Sequence, residues 1–565
     1  MSSSFSVSRI RFLSFLILFV AGVIIIRLYI LQVTENDTYL EKADRQYARS
    51  ATSIFNRSAI FFTSKTGELV SGATLKTGFT VAVNPQILKN PEGVFEKLNP
   101  LVPLEKSDFL TKATKQNDPY EEVAKRLDYT VGEQVDALQI PGVRLYKDRW
   151  RYYPGNGLAA RTLGFLAFKG DEYAGRYGLE RFYEDTLKRG VGTEVNFFAQ
   201  IFSNIGKKAG DASEGDVVTS IEPTVQTYLE KTIDDVNKKY SSEYTGGIIV
   251  DPKTGVIYAM ALSPGFDLNN TKTEKDVSVF SNPLVEAVYE MGSIIKPLTV
   301  AAGIDTGTIT ANTTYYDNGF VIVNNKKISN FDGKARGVTT IQTALSESLN
   351  TGMAYIVGQI GNKTLETYMY KFGLNERTNI DLPNEAKNLV SNLESPRDIE
   401  HVTASFGQGI ALSPISTVRA LSTLANGGYL IHPHVATKIN YKIGISKDIS
   451  FAPGEQVIKK ETAEEVTRMM VRSVDEYLRG GKLKLPNYSV AVKTGTAQIA
   501  RNGKYSEDDF LHSFIGYFPA YNPRFLVFLY TVKPRGVRYG SESLSEPFMD
   551  TVKFLVNYYE IPPDR

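Results

Sequence analysis

The 565-residue sequence contains no cysteine, which removes disulfides, thiolate nucleophiles and cysteine-ligated metals together. An exported chain of this length can do without disulfides, because a core of that size holds a fold by burial. Histidine is scarce as well. His401, His432, His434 and His512 are the only four, and no His-Glu-x-x-His occurs, so a zinc hydrolase is disfavoured on ligand supply. No Gly-x-Ser-x-Gly occurs either, and the histidines stand in no triad context, which argues against a Ser-His-Asp hydrolase. Net charge is small: 64 Lys+Arg against 62 Asp+Glu leave +2, giving a nucleic-acid partner no electrostatic footing. What remains is the composition of a folded protein, 42% hydrophobic and 22% charged, long enough for two or more domains.

One long apolar run is present. Residues 12–33, "FLSFLILFVAGVIIIRLYILQV", would make about 33 Å of helix, enough to cross the hydrocarbon core of a bilayer. Arg9 and Arg11 precede it, while Glu35, Asp37 and Glu41 follow, so the positive-inside rule makes residues 1–11 a cytoplasmic tail and puts everything after Val33 outside. A cleaved signal peptide would have a shorter apolar region and a small-x-small site. A buried core helix would not be apolar all round.

Beyond the anchor, residues 34–215 alternate short strand-like and helical pieces, such as "GFTVAV" and "YGLERFYEDTL", punctuated by loop signals at Asn84-Pro85, Asn90-Pro91 and Pro154-Gly155. The polar stretch 207–216 is the candidate boundary to a second domain, 216–565. That domain opens with "EPTVQTYLEKTIDDVNKKY", a helix with Pro in its first turn, and "GGIIVDPKTGVIYAMAL" (246–262), a hairpin turning at Asp251–Gly255. It closes with strand-like runs at 488–494, 512–518 and 525–532, then a helix entered at Ser545 and Pro547. With a largely helical block over about 285–480 between them, the pattern predicts an α+β fold: a mainly antiparallel sheet with helices packed on it.

Three motifs carry chemistry. Ser293 and Lys296, in "EMGSIIKPLTVAAGI", form the only Ser-x-x-Lys, with both side chains on one helix face. A partly desolvated lysine there can act as proton acceptor for the hydroxyl; alone, the pair reads better as a capping serine with a solvated lysine. Ser348 and Asn350 form the only Ser-x-Asn, a hydroxyl and a carboxamide two residues apart, and alone read as a loop or helix cap. The third motif, Lys-Thr-Gly, occurs four times, at Lys65, Lys76, Lys253 and Lys493. The first and third copies read as turns, and the second leads into a strand close to the anchor. Only Lys493-Thr494-Gly495 is expected to end a strand, with Gly495 admitting a ligand backbone and Lys493 and Thr494 holding a substrate carboxylate.

In the order Ser-x-x-Lys, Ser-x-Asn, Lys-Thr-Gly, these motifs resemble the active site of penicillin-binding proteins and serine β-lactamases. "RWRYYPGNGLAARTLGF" (149–165) and "GRYGLERFYEDTLKRG" (175–190) resemble the pedestal, or dimerisation-like, signatures of class B penicillin-binding proteins; "ASFGQGIALSPISTVRALSTLANGGYL" (404–430) and "HSFIGYFPAYNPR" resemble their catalytic signatures. The motif usual near the anchor survives only as "NRSAIFFTSKTG" (56–67), which keeps Arg57, Ile60 and Gly67. The ending "YGSESLSEPF…LVNYYEIPPD" resembles the septal branch; an elongation-type enzyme of the same class, a β-lactamase or sensor on this fold, and a silent division scaffold are the rivals. The resemblance implies a penicillin-binding transpeptidase domain behind a pedestal at 34–215 and one transmembrane helix. It implies a peptidoglycan D,D-transpeptidase without cofactor or metal, in which Ser293 attacks D-Ala-D-Ala and Lys296 is the base. Ser348 with Asn350 and Lys493 would return the proton, Thr494 with Lys493 would hold the carboxylate, and the N–H groups of Ser293 and Thr496 would form the oxyanion hole. Its implied partners are stem peptides, β-lactams, a membrane glycosyltransferase and bitopic division proteins.

Overall fold

The computed structural model describes residues 15–16, 19–24, 55–115, 118–170, 172–189, 214–442, 444–452, 454–501 and 504–565. The expected cytoplasmic tail, most of the expected anchor and most of the 207–216 stretch lie outside the described residues. Among the described residues no helix is long and apolar enough to cross a membrane.

The chain forms two compact units whose division does not follow a cut near residue 215. The smaller is built chiefly from Leu75–Trp150. In it the later part of the strand Leu69–Val83 pairs with Glu121–Leu127, and Val81 and Val83 bury against Val94, Leu98, Phe109 and Ala113 of two short helices. The Asn90-Pro91 loop signal is the start of the first of these helices: Asn90 accepts the Gly93 N–H and Pro91 needs no partner at the first position.

The larger unit takes Arg57–Thr74, Arg151–Arg189 and the described residues from 214 onward. Its first long helix, α1 (Pro223–Tyr240), starts as expected, with Pro223 in the first turn and the Glu222 carboxylate accepting the Val225 N–H. The hairpin of β1 (Tyr244–Val250) and β2 (Ile257–Ser263) follows, turning through Gly255 at φ +84°. Helices α2 (Lys296–Asp305), α3 (Asn350–Ile360) and α4 (Lys460–Arg472) belong to the central block. Strands β3 (Ala491–Arg501), β4 (Lys504–Phe518) and β5 (Phe525–Val532) and helix α5 (Ser545–Tyr558) complete it. The five strands stand in the order β3-β4-β5-β1-β2 with every neighbour antiparallel, leaving β3 at one edge.

All eight residues of β5 are buried. Phe525, Val527 and Leu529 join the cluster of α1 and α5, whereas Leu526, Phe528 and Tyr530 face the cluster that holds α2. A sheet covered on both faces needs apolar side chains at both phases of the two-residue repeat, which is why "FLVFLYTV" reads as an unbroken run.

The central block, largely helical as expected, also holds short strands. Strands Thr314–Asp317 and Gly337–Thr340 pair with each other, as do Phe320–Val323 and Lys326–Ser329. Ala436–Tyr441 pairs with Gly215–Thr219, in a sheet separate from that of β1–β5. Four-residue strands offer only two alternations, too few to stand out as a period in sequence.

Arg57, kept in the otherwise altered 56–67 stretch, has a definite place. Glu180, fully buried, accepts Arg57 Nε on one carboxylate oxygen and Arg151 Nε on the other, both at 2.6 Å, while Arg57 Nη2 also reaches Glu184 at 2.7 Å.

Candidate active site

Ser293 lies in the 3-10 turn Gly292–Ile295, which runs into α2. Gly292 has φ +65° and donates its N–H to Gly407 O at 3.1 Å. A Cβ on Gly407 would stand 2.2 Å from Gly292 O, so only glycine lets the 404–412 segment approach the turn. From the other side, a Cβ on Gly495 would meet Ser513 Oγ at 2.2 Å and Met291 O at 2.8 Å, and Ser513 Oγ donates to that same carbonyl at 2.9 Å. Beside the expected approach of a ligand backbone, Gly495 is thus required by the chain's own turn at Ser293, which leaves no room for a Cβ. Met291, which precedes the turn, is buried.

Lys296 is fully buried, not solvated, and its Nζ donates to Ser348 Oγ at 3.2 Å as well as to the Ser348 carbonyl. Lys493 Nζ donates to the same Ser348 Oγ at 2.9 Å and to Thr494 O at 2.9 Å. One hydroxyl thus bridges two buried lysines, and among the described residues neither is ion-paired to a carboxylate. Burial drives the Lys493 pKa down to about 7. Burial, reinforced by the Lys493 charge, holds Lys296 well below the ordinary lysine value. Ser293 is half-buried beside them, and no described residue hydrogen bonds its hydroxyl.

Ser348 adopts φ +59°, a left-handed conformation that costs a non-glycine residue roughly 1 kcal/mol or more. A buried network holds its neighbours. Asn350 Nδ2 donates to Ser329 O at 2.9 Å, Thr351 Oγ1 to Asp317 Oδ1 at 2.9 Å, and Asn330 Nδ2 to both Asp317 oxygens at 3.1 and 3.0 Å. Asp317 and Asn330 were not legible as site residues, because both belong to the short strands and turns of the unexpected hairpins. The Asn350 amide is committed to Ser329 O, so the hydrogen bonds that join the motifs run through Ser348 and the two lysines alone.

Lys493 does not end its strand; it is the third residue of β3, which continues to Arg501. Thr494 and Thr496 alternate to the opposite side from Lys493, and the Thr496 hydroxyl accepts the Gly540 N–H at 2.9 Å. Opposite Thr496 in the ladder, buried His512 contacts Ser543 Oγ at 2.8 Å and Arg538 O at 3.0 Å, and so fixes the segment that carries Gly540. Burial presses the His512 pKa down to about 4. Of the other Lys-Thr-Gly copies, those at Lys65 and Lys253 turn hairpins at Gly67 (φ +86°) and Gly255. Lys76 stands within the strand Leu69–Val83, paired with Asp128 at 2.6 Å.

A nucleophile turn that opens a buried helix, with two buried lysines on one hydroxyl beside the edge of a five-stranded antiparallel sheet, defines the class: a serine–lysine site on the penicillin-recognising fold. The chain belongs to the penicillin-binding protein transpeptidase family, since the penicillin binding protein transpeptidase domain matches residues 245–552. The penicillin-binding protein dimerisation domain matches residues 65–198. Stage V sporulation protein D of Bacillus subtilis is 28% identical over 85% of this chain and 75% of that protein. The probable peptidoglycan D,D-transpeptidase PenA of Neisseria meningitidis is 26% identical over 96% of this chain and 91% of that protein. Among solved structures, penicillin binding protein 2X of Streptococcus thermophilus superposes with a TM-score of 0.71 at 20% identity, covering 88% of this chain and 80% of that one, a likeness of fold.

Proposed function

We propose that this protein is a peptidoglycan D,D-transpeptidase that crosslinks stem peptides during septal wall synthesis and is acylated by β-lactams. The observation that carries the reading is the Ser348 hydroxyl held between Lys296 and Lys493. Ser293 Oγ attacks the carbonyl of the penultimate D-Ala, and its proton passes to Lys296, which burial keeps available in the neutral form. The backbone N–H groups of Ser293 and Thr496 stabilise the oxyanion, a contribution typically worth about 3 kcal/mol per donor. As the tetrahedral species collapses, the C–N bond breaks and the leaving D-Ala amine takes a proton through Ser348, resupplied by the lysines on either side. An amine of a second stem then attacks the ester, forming the crosslink and returning the proton to Ser293. Lys493, Thr494 and the backbone around Gly495 hold the donor's terminal carboxylate; Asn350 anchors the Ser348 turn.

The relatives named as peptidoglycan D,D-transpeptidases support this reading. The hydropathy and flanking charges of 12–33 support a single-pass anchor with residues 1–11 in the cytoplasm and both the pedestal and the transpeptidase domain outside. The C-terminal ending supports the septal branch, and with it a membrane glycosyltransferase and bitopic division proteins as partners. The test is mass spectrometry of penicillin-treated protein. One slowly released adduct on Ser293, absent from Ser293→Ala, is the expected outcome. Folded protein without an adduct would make the chain a scaffold, and rapid release would make it a hydrolase.

A further inference from the structure

Beside the nucleophile stands a carboxylate that the mechanism does not use. Glu290, three residues before Ser293, is partly buried and accepts the Tyr505 hydroxyl on its two oxygens at 3.2 and 3.1 Å. Its remaining partner is the backbone N–H of Gly409. Gly409 is itself fixed, its carbonyl taking the Asn392 amide at 2.6 Å. Among the described residues no lysine, arginine or histidine is ion-paired with Glu290. A half-buried carboxylate satisfied only by neutral donors retains its attraction for a cation, and burial raises its pKa against the pull of those donors. Tyr505 is 45% exposed, so the pair is open to solvent.

Its placement along β3 selects the cation. The carboxylate end of the donor is assigned to Lys493 and Thr494, and the scissile carbonyl to Thr496. Tyr505 pairs with Ala500, toward the far end of the same strand. An extended peptide advances about 3.3 Å per residue, so a donor laid along this edge carries its chain from the scissile bond toward Tyr505. The first side chain able to reach the Glu290 carboxylate belongs to the residue before D-Ala-D-Ala, which in a crosslinkable stem is a diamino acid with a long amine-bearing side chain.

We propose that Glu290 and Tyr505 form a subsite for a primary ammonium, occupied by the side-chain amine of the diamino residue that precedes D-Ala-D-Ala in the donor stem. The subsite rests on the transpeptidase reading and adds a criterion to it: Ser293 is acylated fastest by stems whose diamino residue is still free. The same chemistry could be offered by the acceptor amine, and the two sources give different results.

The experiment uses the full-length enzyme in detergent and two synthetic pentapeptide donors, identical except that one has its side-chain amine acetylated. D-Ala release is measured for the wild type, Glu290→Gln, Glu290→Asp and Tyr505→Phe. The wild type should favour the free-amine donor about tenfold in kcat/KM, the size expected of one ammonium–carboxylate pair near a surface. Glu290→Gln should bring that ratio to about one, while Glu290→Asp and Tyr505→Phe retain part of it. A wild type that treats the donors alike, or a Glu290→Gln variant that slows both equally, overturns the subsite. In a second arm the acyl-enzyme formed from the acetylated donor is partitioned between water and an amine acceptor. A Glu290→Gln effect on that partition, with donor preference intact, would assign the ammonium to the acceptor and overturn the donor assignment. Penicillin labelling of the wild-type Ser293 keeps the two readings separate: absence of an adduct sinks the transpeptidase, whereas an adduct without donor discrimination sinks only the subsite.

Discussion

Two ammonium groups that share one hydroxyl, with no carboxylate among the described residues to neutralise either, cannot both hold their protons at the ordinary lysine pKa. Lys493 gives way at about 7, and Lys296 lies well below its usual value because of burial first and the Lys493 charge second. Penicillin acylation of Ser293 should therefore fall as pH drops through the Lys296 pKa, well below the ordinary lysine value, where a proton fills the acceptor that the Ser293 proton needs, and a separate limb near pH 7 should follow Lys493; quenched-flow labelling across pH checks this. Lys493→Arg, which keeps its charge at every accessible pH, should lose that limb of the profile and acylate slowly throughout. The same burial has a stability sign. Between about 7 and the ordinary lysine value the unfolded chain binds more protons at this position than the folded one, so stability rises with pH across that window and the full penalty applies below it. Lys493→Met should unfold at higher temperature than the wild type at pH 7, by roughly 1–3 kcal/mol in stability, while losing acylation. His512 behaves alike at lower pH. With its pKa near 4, the unfolded chain takes the proton first as pH falls from about 6.5, and stability is lost until pH 4. His512→Gln should flatten the wild-type decline in thermal midpoint over that interval, read by calorimetry.

Among elements, the turn that presents Ser293 is gripped between two glycines from distant segments. Gly407→Ala would add a Cβ 2.2 Å from Gly292 O at a residue with φ +80°, a combination of clash and backbone strain that exceeds about 2 kcal/mol. The expected result is a folded protein whose circular dichroism is near wild type and whose penicillin labelling falls at least tenfold. At this scale legibility followed element length. The helix from Pro223 and the run "FLVFLYTV" announced themselves, one by its capping chemistry and the other by continuous apolarity. The four-residue strands of 314–340 did not, and with them Asp317 and Asn330, which pin the Ser348 turn, stayed hidden. The strand does not end at Lys493-Thr494-Gly495 as expected, because register with β4 carries it on to Arg501. Ser293, Lys296, Ser348 and Lys493 were identifiable because each motif occurs in an order that chance seldom supplies; what joins them, a hydroxyl shared by two lysines, is a matter of burial and distance that no spacing encodes.

Across the molecule, the division into compact units cuts the sequence several times, since Arg57–Thr74 and Arg151–Arg189 belong with the candidate site residues. Glu180 is the tie, accepting Arg57 and Arg151 from separate stretches while fully buried. Replacing it by Gln would leave two buried guanidinium groups short of their counter-charge, and stability should drop by about 3–5 kcal/mol, measured as a lowered thermal midpoint. The altered 56–67 stretch concealed this, because one retained arginine in a changed motif gives no sign of its partner.

The order of the sheet also decides when the enzyme becomes an enzyme. Gly247 and Leu529 are ladder neighbours, so the hairpin made early waits for a strand made near the end of synthesis. Contacts so distant in sequence form late and slowly. A growing chain already holds Ser293, Lys296 and Ser348, but Lys493 arrives on a strand that has no seat until β4 and β5 close onto β1. A chain stopped after Pro486 should therefore take no penicillin, and a covalent penicillin signal from a growing cell reports completed molecules only, blind to every copy still in the making.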